Sequence, residues 1–398
     1  MHIFIDPNPS PEKSWKERSR LFKLPRSSWE DYNTSLISKG GGVFDRSAKN
    51  IKLSSQVRRL LNTTQKELNG DQLVKLILQM SVDLLWFGGI GTYIKSDNEM
   101  HYDVADPAND LIRINHSECN VKVIGEGANL GMTQSARIEL SRNGVRLNTD
   151  FIDNSAGVNM SDYEVNLKIF LSQLVLAKKV KTMDERNHLL KEMTEAVAEL
   201  SVANNRKNHY LLSLDQLRSQ QNSTLFFKLI THMVNKKQLN PVEECIPDLG
   251  ELEDILTHHE MLPRPLLATV QAYVKMAVYD QLIQSELLEK DELDFLYRPY
   301  FPELIYKLSP KISQSHRLKK EIVGTLVVNY IVNQAGSTFF FKVEQLTAKP
   351  VDSIAIAYLL ANQLLDGDSL KSMILNSSLL SDVQYQHLLY VEQIIEMV

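Results

Sequence analysis

Residues 121–164 read VKVIGEGANLGMTQSARIELSRNGVRLNTDFIDNSAGVNMSDYE, and no other stretch limits the fold so sharply. Two short apolar strands are expected here, at 121–124 and 145–147. Each runs into a loop of Gly, Asn, Asp and Ser, and then into a helical pattern. Strand, polar glycine-rich turn, helix is the βα unit of a doubly wound sheet, which binds ligands outside the carboxyl ends of its strands. Glu126, Asn129, Asp153, Asn154 and Ser161 fall where that crevice belongs.

The first residues fit the same scheme. HIFID is an apolar strand ending in Asp6. In a dinucleotide-binding unit such a strand is the second one, and its terminal carboxylate bonds a ribose 2′-hydroxyl. The first strand and its G-x-G-x-x-G turn occur nowhere in the chain; Gly88-Gly89-Ile90-Gly91 and the run 40–42 have other spacings. Either Asp6 is an ordinary strand-end residue, or the chain is a piece of something longer.

Residues 7–52 read as a connection rich in Pro, Ser, Gly and basic side chains, with one helix near 12–22. The glycines at 40–42 suit either a loop approaching a phosphate or a plain surface turn; the latter is favoured, with Arg46 and Lys49 solvated. Helices follow at 54–61 and 71–80, then a buried strand at 82–89 that closes on Gly88 and Gly89. The polar stretch 95–120 reads as a surface excursion. Ser161 and Glu164 form a capping-box pattern ahead of Leu167, Phe170, Leu171 and Leu174. Glu126 suits a loop acceptor as well as a ligand contact.

Beyond about residue 180 strand signals fade. Capping-box patterns recur at Thr182–Glu185, Ser213–Gln216 and Ser381–Gln384. Apolar residues repeat at helical intervals, as in Leu189, Met193, Val197 and Leu200, and in Ile322, Leu326 and Tyr330. The fold class is therefore α/β followed by all-α. Residues 1–180 form an incomplete Rossmann-like doubly wound sheet, and 181–398 form a helical domain. The pair His258-His259 sits at a loop or helix end, and no carboxylate–His cluster points to a metal.

Composition excludes several classes. A net charge of −5 gives no electrostatic case for nucleic acid or an anionic membrane. Two cysteines, Cys119 and Cys245, offer neither a disulfide framework nor a CxxC metal site, so a cytoplasmic location is the default. No stretch reaches the ~20 apolar residues that span a bilayer.

The chain resembles the C-terminal portion of the large bacterial NAD-specific glutamate dehydrogenases. The matching runs are HIFIDPNPSP, ERSRLFKLPRSSWEDY, SLISKGGGVFDRSAKNI, LLWFGGIGTYIK, VKVIGEGANLGMTQSARIE, NTDFIDNSAGVNMSDYEVNLKI, LPRPLLATVQAYVK and KKEIVGTLVVNYIVNQAGSTF. The core also resembles the smaller glutamate dehydrogenases. That resemblance implies NAD as cofactor, with Asp6 on the adenosine ribose hydroxyls and repelling the 2′-phosphate of NADP. It implies that Gly88 and Gly89 admit the cofactor, that Asn129 meets the nicotinamide ribose, and that Asn154 holds the carboxamide. Ser161, with Val158, is implied to line the pocket for the substrate side-chain carboxylate. The turn reads Ser155-Ala156-Gly157 where the smaller enzymes have Ala-Gly-Gly.

The implied reaction is oxidative deamination of L-glutamate to 2-oxoglutarate and ammonia. Its catalytic Lys and Asp, and the glycine fingerprint, belong upstream of the matched region, so no catalytic residue is assigned here. The isolated chain is expected to be inactive, and the full-length enzyme to be a homo-oligomer. The alternative is a helical oligomerisation or regulatory module on a truncated nucleotide-binding platform. A dehydrogenase for leucine, phenylalanine or valine is disfavoured by the matches outside the core.

Overall fold

A computed structural model describes residues 2–248, 250, 252, 261–308 and 316–398. His258, His259 and Pro310 lie outside the described residues. The polypeptide falls into two compact units, Met1–Leu147 and Asn148–Val398.

In the first unit, β1 (His2–Ile5) pairs antiparallel with β2 (Gly42–Asp45). The helix α1 (Pro11–Lys23) lies between them in sequence. Short strands β3 (Ile51–Lys52) and β4 (Glu67–Leu68) also pair antiparallel, around α2 (Ser55–Leu60), which Ser54 caps. Next come α3 (Gly70–Leu78), β5 (Val82–Phe87), β6 (Ile94–Lys95), α4 (His101–Val104), β7 (Ile114–Asn115), β8 (Val121–Glu126) and α5 (Gln134–Arg142). The β5–β8 and β6–β7 pairs are parallel. Two apolar cores hold the unit, one around Ile5, Val57 and Leu73, the other around Ile94, Ile124 and Leu140.

Three expectations need correction here. Among the described residues the strands form four two-stranded sheets, not the single incomplete Rossmann-like doubly wound sheet expected over 1–180. Residues 145–147 form no strand: Arg146 makes one parallel bridge to Val123, donating to Lys122 O at 2.9 Å and accepting from Ile124 N at 3.0 Å. The strand at 82–87 is half open to solvent, with Leu84 at 57% and Trp86 at 60% exposure. An apolar run fixes the strand but not what covers it.

The stretch 95–120 is also more than an excursion. Arg113 is 1% exposed, and it donates to the carbonyls of Thr92 and Asp106 and to the Asp110 carboxylate. Its polar residues satisfy one another internally, which buried polar groups must do.

The second unit is helical among its described residues. It runs through α6 (Asp150–Asp153), α7 (Ser155–Leu176), α8 (Met183–Glu192), α9 (Thr194–Gln221), α10 (Ser223–Asn235) and α11 (Arg264–Leu282). Then follow α12 (Asp294–Tyr297), α13 (Glu303–Leu308), α14 (Lys319–Ala335), α15 (Phe339–Thr347), α16 (Val351–Leu364), α17 (Gly367–Leu375) and α18 (Ser381–Met397). Phe170, Leu171, Leu266 and Ile331 sit at the centre of one large core.

Only one of the expected helix caps there acts as such. Thr182 accepts from Glu185 N at 3.1 Å. Ser161 lies inside α7, six residues past its start, and Ser213 lies inside α9. Ser381 is already the first residue of α18, with Leu380 at the cap and no side-chain bond there.

Candidate functional site

Four of the residues expected to bind lie in the first unit. Asp6 directly follows β1. Its Oδ1 accepts from Ser38 N at 3.1 Å, from the Ser38 hydroxyl and from Asn8 N at 3.4 Å. Its Oδ2 is buried and has no hydrogen-bond partner. An orphaned carboxylate oxygen costs free energy unless something donates to it. Ser38 was not singled out by sequence; a single serine 32 positions away carries no signal.

The glycines at 40–42 are explained by packing. Gly40 has φ of +87°, and a Cβ on Gly41 meets Ile5 O at 2.5 Å. Lys49 is exposed, and Arg46 pairs loosely with Asp71 at 3.5 Å.

Gly88 and Gly89 differ. They directly follow β5 and do not adopt positive φ. A Cβ on Gly89 meets nothing within 4 Å, and one on Gly88 meets Trp86 no closer than 3.7 Å. Nothing inside the fold requires glycine there, which leaves room for close approach by a ligand.

At the end of β8, Glu126 is 1% exposed and takes Arg137 of α5 in a two-point pair, at 2.7 and 2.8 Å. The glutamate thus anchors the end of the strand to α5. Asn129, three residues on, is exposed, beside Leu130 at φ +64°.

The other three lie in the second unit. Asn154 joins α6 to α7, ending one helix and preceding the other. Gly157 and Val158 follow in the first turn of α7. Val158 is 63% exposed, and a Cβ on Gly157 meets nothing within 4 Å. Ser161 is exposed one turn later.

A network from α9 and α11 holds this junction. Asn205 Nδ2 donates to Ile152 O at 2.9 Å and to Ser155 Oγ at 2.9 Å. His209 Nε2 lies 3.2 Å from Asp153 Oδ1, which also accepts from Asn148 Nδ2 at 2.7 Å. Arg264 Nε donates to Asn148 Oδ1 at 2.7 Å. The Asp153 carboxylate raises the His209 pKa above its ordinary value. Sequence could not reveal these partners, which stand about 50 to 116 residues away.

Among the described residues no group of three His, Cys, Asp or Glu could hold a metal ion, and no helix is long and apolar enough to cross a membrane.

Known proteins match along almost the whole chain. The chain is 39% identical over 391 residues to the NAD-specific glutamate dehydrogenase of Halomonas elongata, covering 98% of this chain and 24% of that protein. It is 41% identical to the enzymes of the same name from Pseudomonas aeruginosa and Mycobacterium tuberculosis, over 90% and 89% of this chain and 22% of each relative. The chain thus spans about a quarter of the length of these relatives. Residues 1–215 match the family model "Bacterial NAD-glutamate dehydrogenase, catalytic domain", and 259–398 match "Glutamate dehydrogenase, C-terminal". With over half its length inside the first of these, the chain belongs to the bacterial NAD-glutamate dehydrogenase family.

Proposed function

We propose that this chain is the cofactor-side portion of an NAD-dependent glutamate dehydrogenase, which oxidatively deaminates L-glutamate to 2-oxoglutarate and ammonia. Asp6 carries the reading: a strand-end carboxylate with one oxygen anchored by Ser38 and the other buried without a partner. That chemistry fits a ribose hydroxyl pair and repels a 2′-phosphate.

In this reading Gly88 and Gly89 let the cofactor approach the backbone, and Asn129 meets the nicotinamide ribose. Asn154 holds the nicotinamide carboxamide, while Ser161 and Val158 line the space for the substrate side-chain carboxylate. Bound NAD⁺ supplies the hydride acceptor. The His209–Asp153 pair and Asn205 hold the Asn154 junction in register. Glu126 is withdrawn from ligand binding by Arg137. The general base and acid belong to a substrate domain that these residues do not supply, so the chain alone turns over no glutamate.

Titration of the purified chain with NAD⁺ and NADP⁺ tests this. We expect NAD⁺ to bind at least tenfold more tightly, Asp6→Ala to erase that difference, and glutamate to yield no NADH. Equal affinity for the two, or glutamate-dependent NADH, contradicts it.

A second reading, assembly through the C-terminal helices, has its own support. Leu360 and Leu364 on α16 and Tyr390, Ile394 and Met397 on α18 are exposed at helical spacing. Light scattering on the chain and on Ile394→Lys tests it; a monomer in both cases removes the support.

A further inference from the structure

The second unit contains a cavity of about 530 Å³ that the cofactor reading does not use. Six asparagines line it: Asn159 and Asn166 on α7, Asn204 and Asn208 on α9, and Asn329 and Asn333 on α14. Spacings of four and seven put each pair on one helical face.

Their hydrogen bonds orient four of them. Lys275 Nζ donates to Asn208 Oδ1 at 3.0 Å and to Asn333 Oδ1 at 2.6 Å. With both Oδ1 atoms facing the lysine, both amide nitrogens are turned away from it as donors. Asn166 and Asn204 instead donate to the Tyr300 and Tyr163 hydroxyls, at 2.7 and 3.0 Å, which leaves their carbonyl oxygens as acceptors. The wall therefore offers amide donors and acceptors together.

A carboxamide carries the same donor and acceptor as a peptide unit, so it can meet a peptide main chain with the hydrogen bonds that a sheet edge offers an added strand. Length favours a chain over a compact molecule. The α14 residues on the wall run from Glu321 to Asn333, roughly 18 Å at the helical rise, or about five extended residues. The charge is lopsided: Asp162, Glu321 and Asp368 line the cavity against Lys207. Phe295, Leu326 and Tyr330 offer apolar surface for side-chain stems.

We propose that this cavity docks an extended segment of a partner protein carrying at least one basic side chain, with its main chain paired to the asparagine carboxamides. The test screens the purified chain against a library of acetylated, amidated hexapeptides by fluorescence polarisation. We expect bound peptides enriched in Lys or Arg. Backbone N-methylation should weaken them at least tenfold, as should Asn204→Leu or Asn333→Leu at unchanged melting temperature. Should either variant fail to fold, Asn329→Leu, with no side-chain bond of its own among the described residues, serves instead. Failure of every peptide, equal binding of N-methylated peptides, indifference to the variants, or saturation by lysine amide alone overturns the proposal.

Discussion

Arg137 closes on both oxygens of Glu126 inside the first unit, with both side chains nearly out of solvent. Removing one member leaves a buried charge without its partner, which costs far more than removing both. We predict that Arg137→Met lowers stability by about 3–5 kcal/mol in urea unfolding, and that adding Glu126→Leu restores most of it. A double variant no better than the single would show that the pair matters for something other than charge. Sequence left Glu126 open between loop acceptor and ligand contact, because its partner sits eleven residues on, across a turn. Asp6 was legible as a strand-end carboxylate; its tie to Ser38 was not.

At the level of elements, the start of α7 shows what local pattern can miss. Ser161-x-x-Glu164 has the letters of a cap, yet the helix begins at Ser155. The amide of Asn205, from α9, satisfies the carbonyl and hydroxyl groups at the α6–α7 junction and so extends the helix backwards. Ser161→Ala should therefore leave the melting temperature unchanged, whereas Thr182→Ala, which removes a working cap, should cost about 1 kcal/mol. Equal losses would restore the cap reading. The same junction carries a pH signature. His209 has its pKa raised by Asp153, with Arg264 opposing. Its contribution to stability is full below the ordinary histidine pKa of about 6.5 and is lost as pH rises through the higher folded value. Asp153→Asn should flatten that slope in pH-dependent melting; an unaltered slope would place the titration elsewhere. Lys275 runs the other way. Burial pushes it down to about 7, so between there and the unfolded value near 10.4 the unfolded chain binds more protons and stability rises with pH.

The whole molecule was legible as α/β followed by all-α and not in its sheet. Helical periodicity beyond 180 corresponds to helices among the described residues, while the expected boundary lay at 180 and the compact units meet at 147–148. Pairing was out of reach, since β1 finds β2 forty residues away and strand letters do not state direction. Each unit has its own core, so calorimetry should show more than one transition. Phe170→Ala, in the centre of the helical core, should lower one of them by about 3–5 kcal/mol. The residues proposed to face NAD are Asp6, Gly88, Gly89, Asn129 and Asn154. Hydrogen exchange of the chain with and without NAD⁺ reads all of them at once. We predict slowed exchange at 6–8, 88–91, 127–130 and 154–158. Unchanged exchange at these four segments, or protection confined to residues outside them, would contradict it.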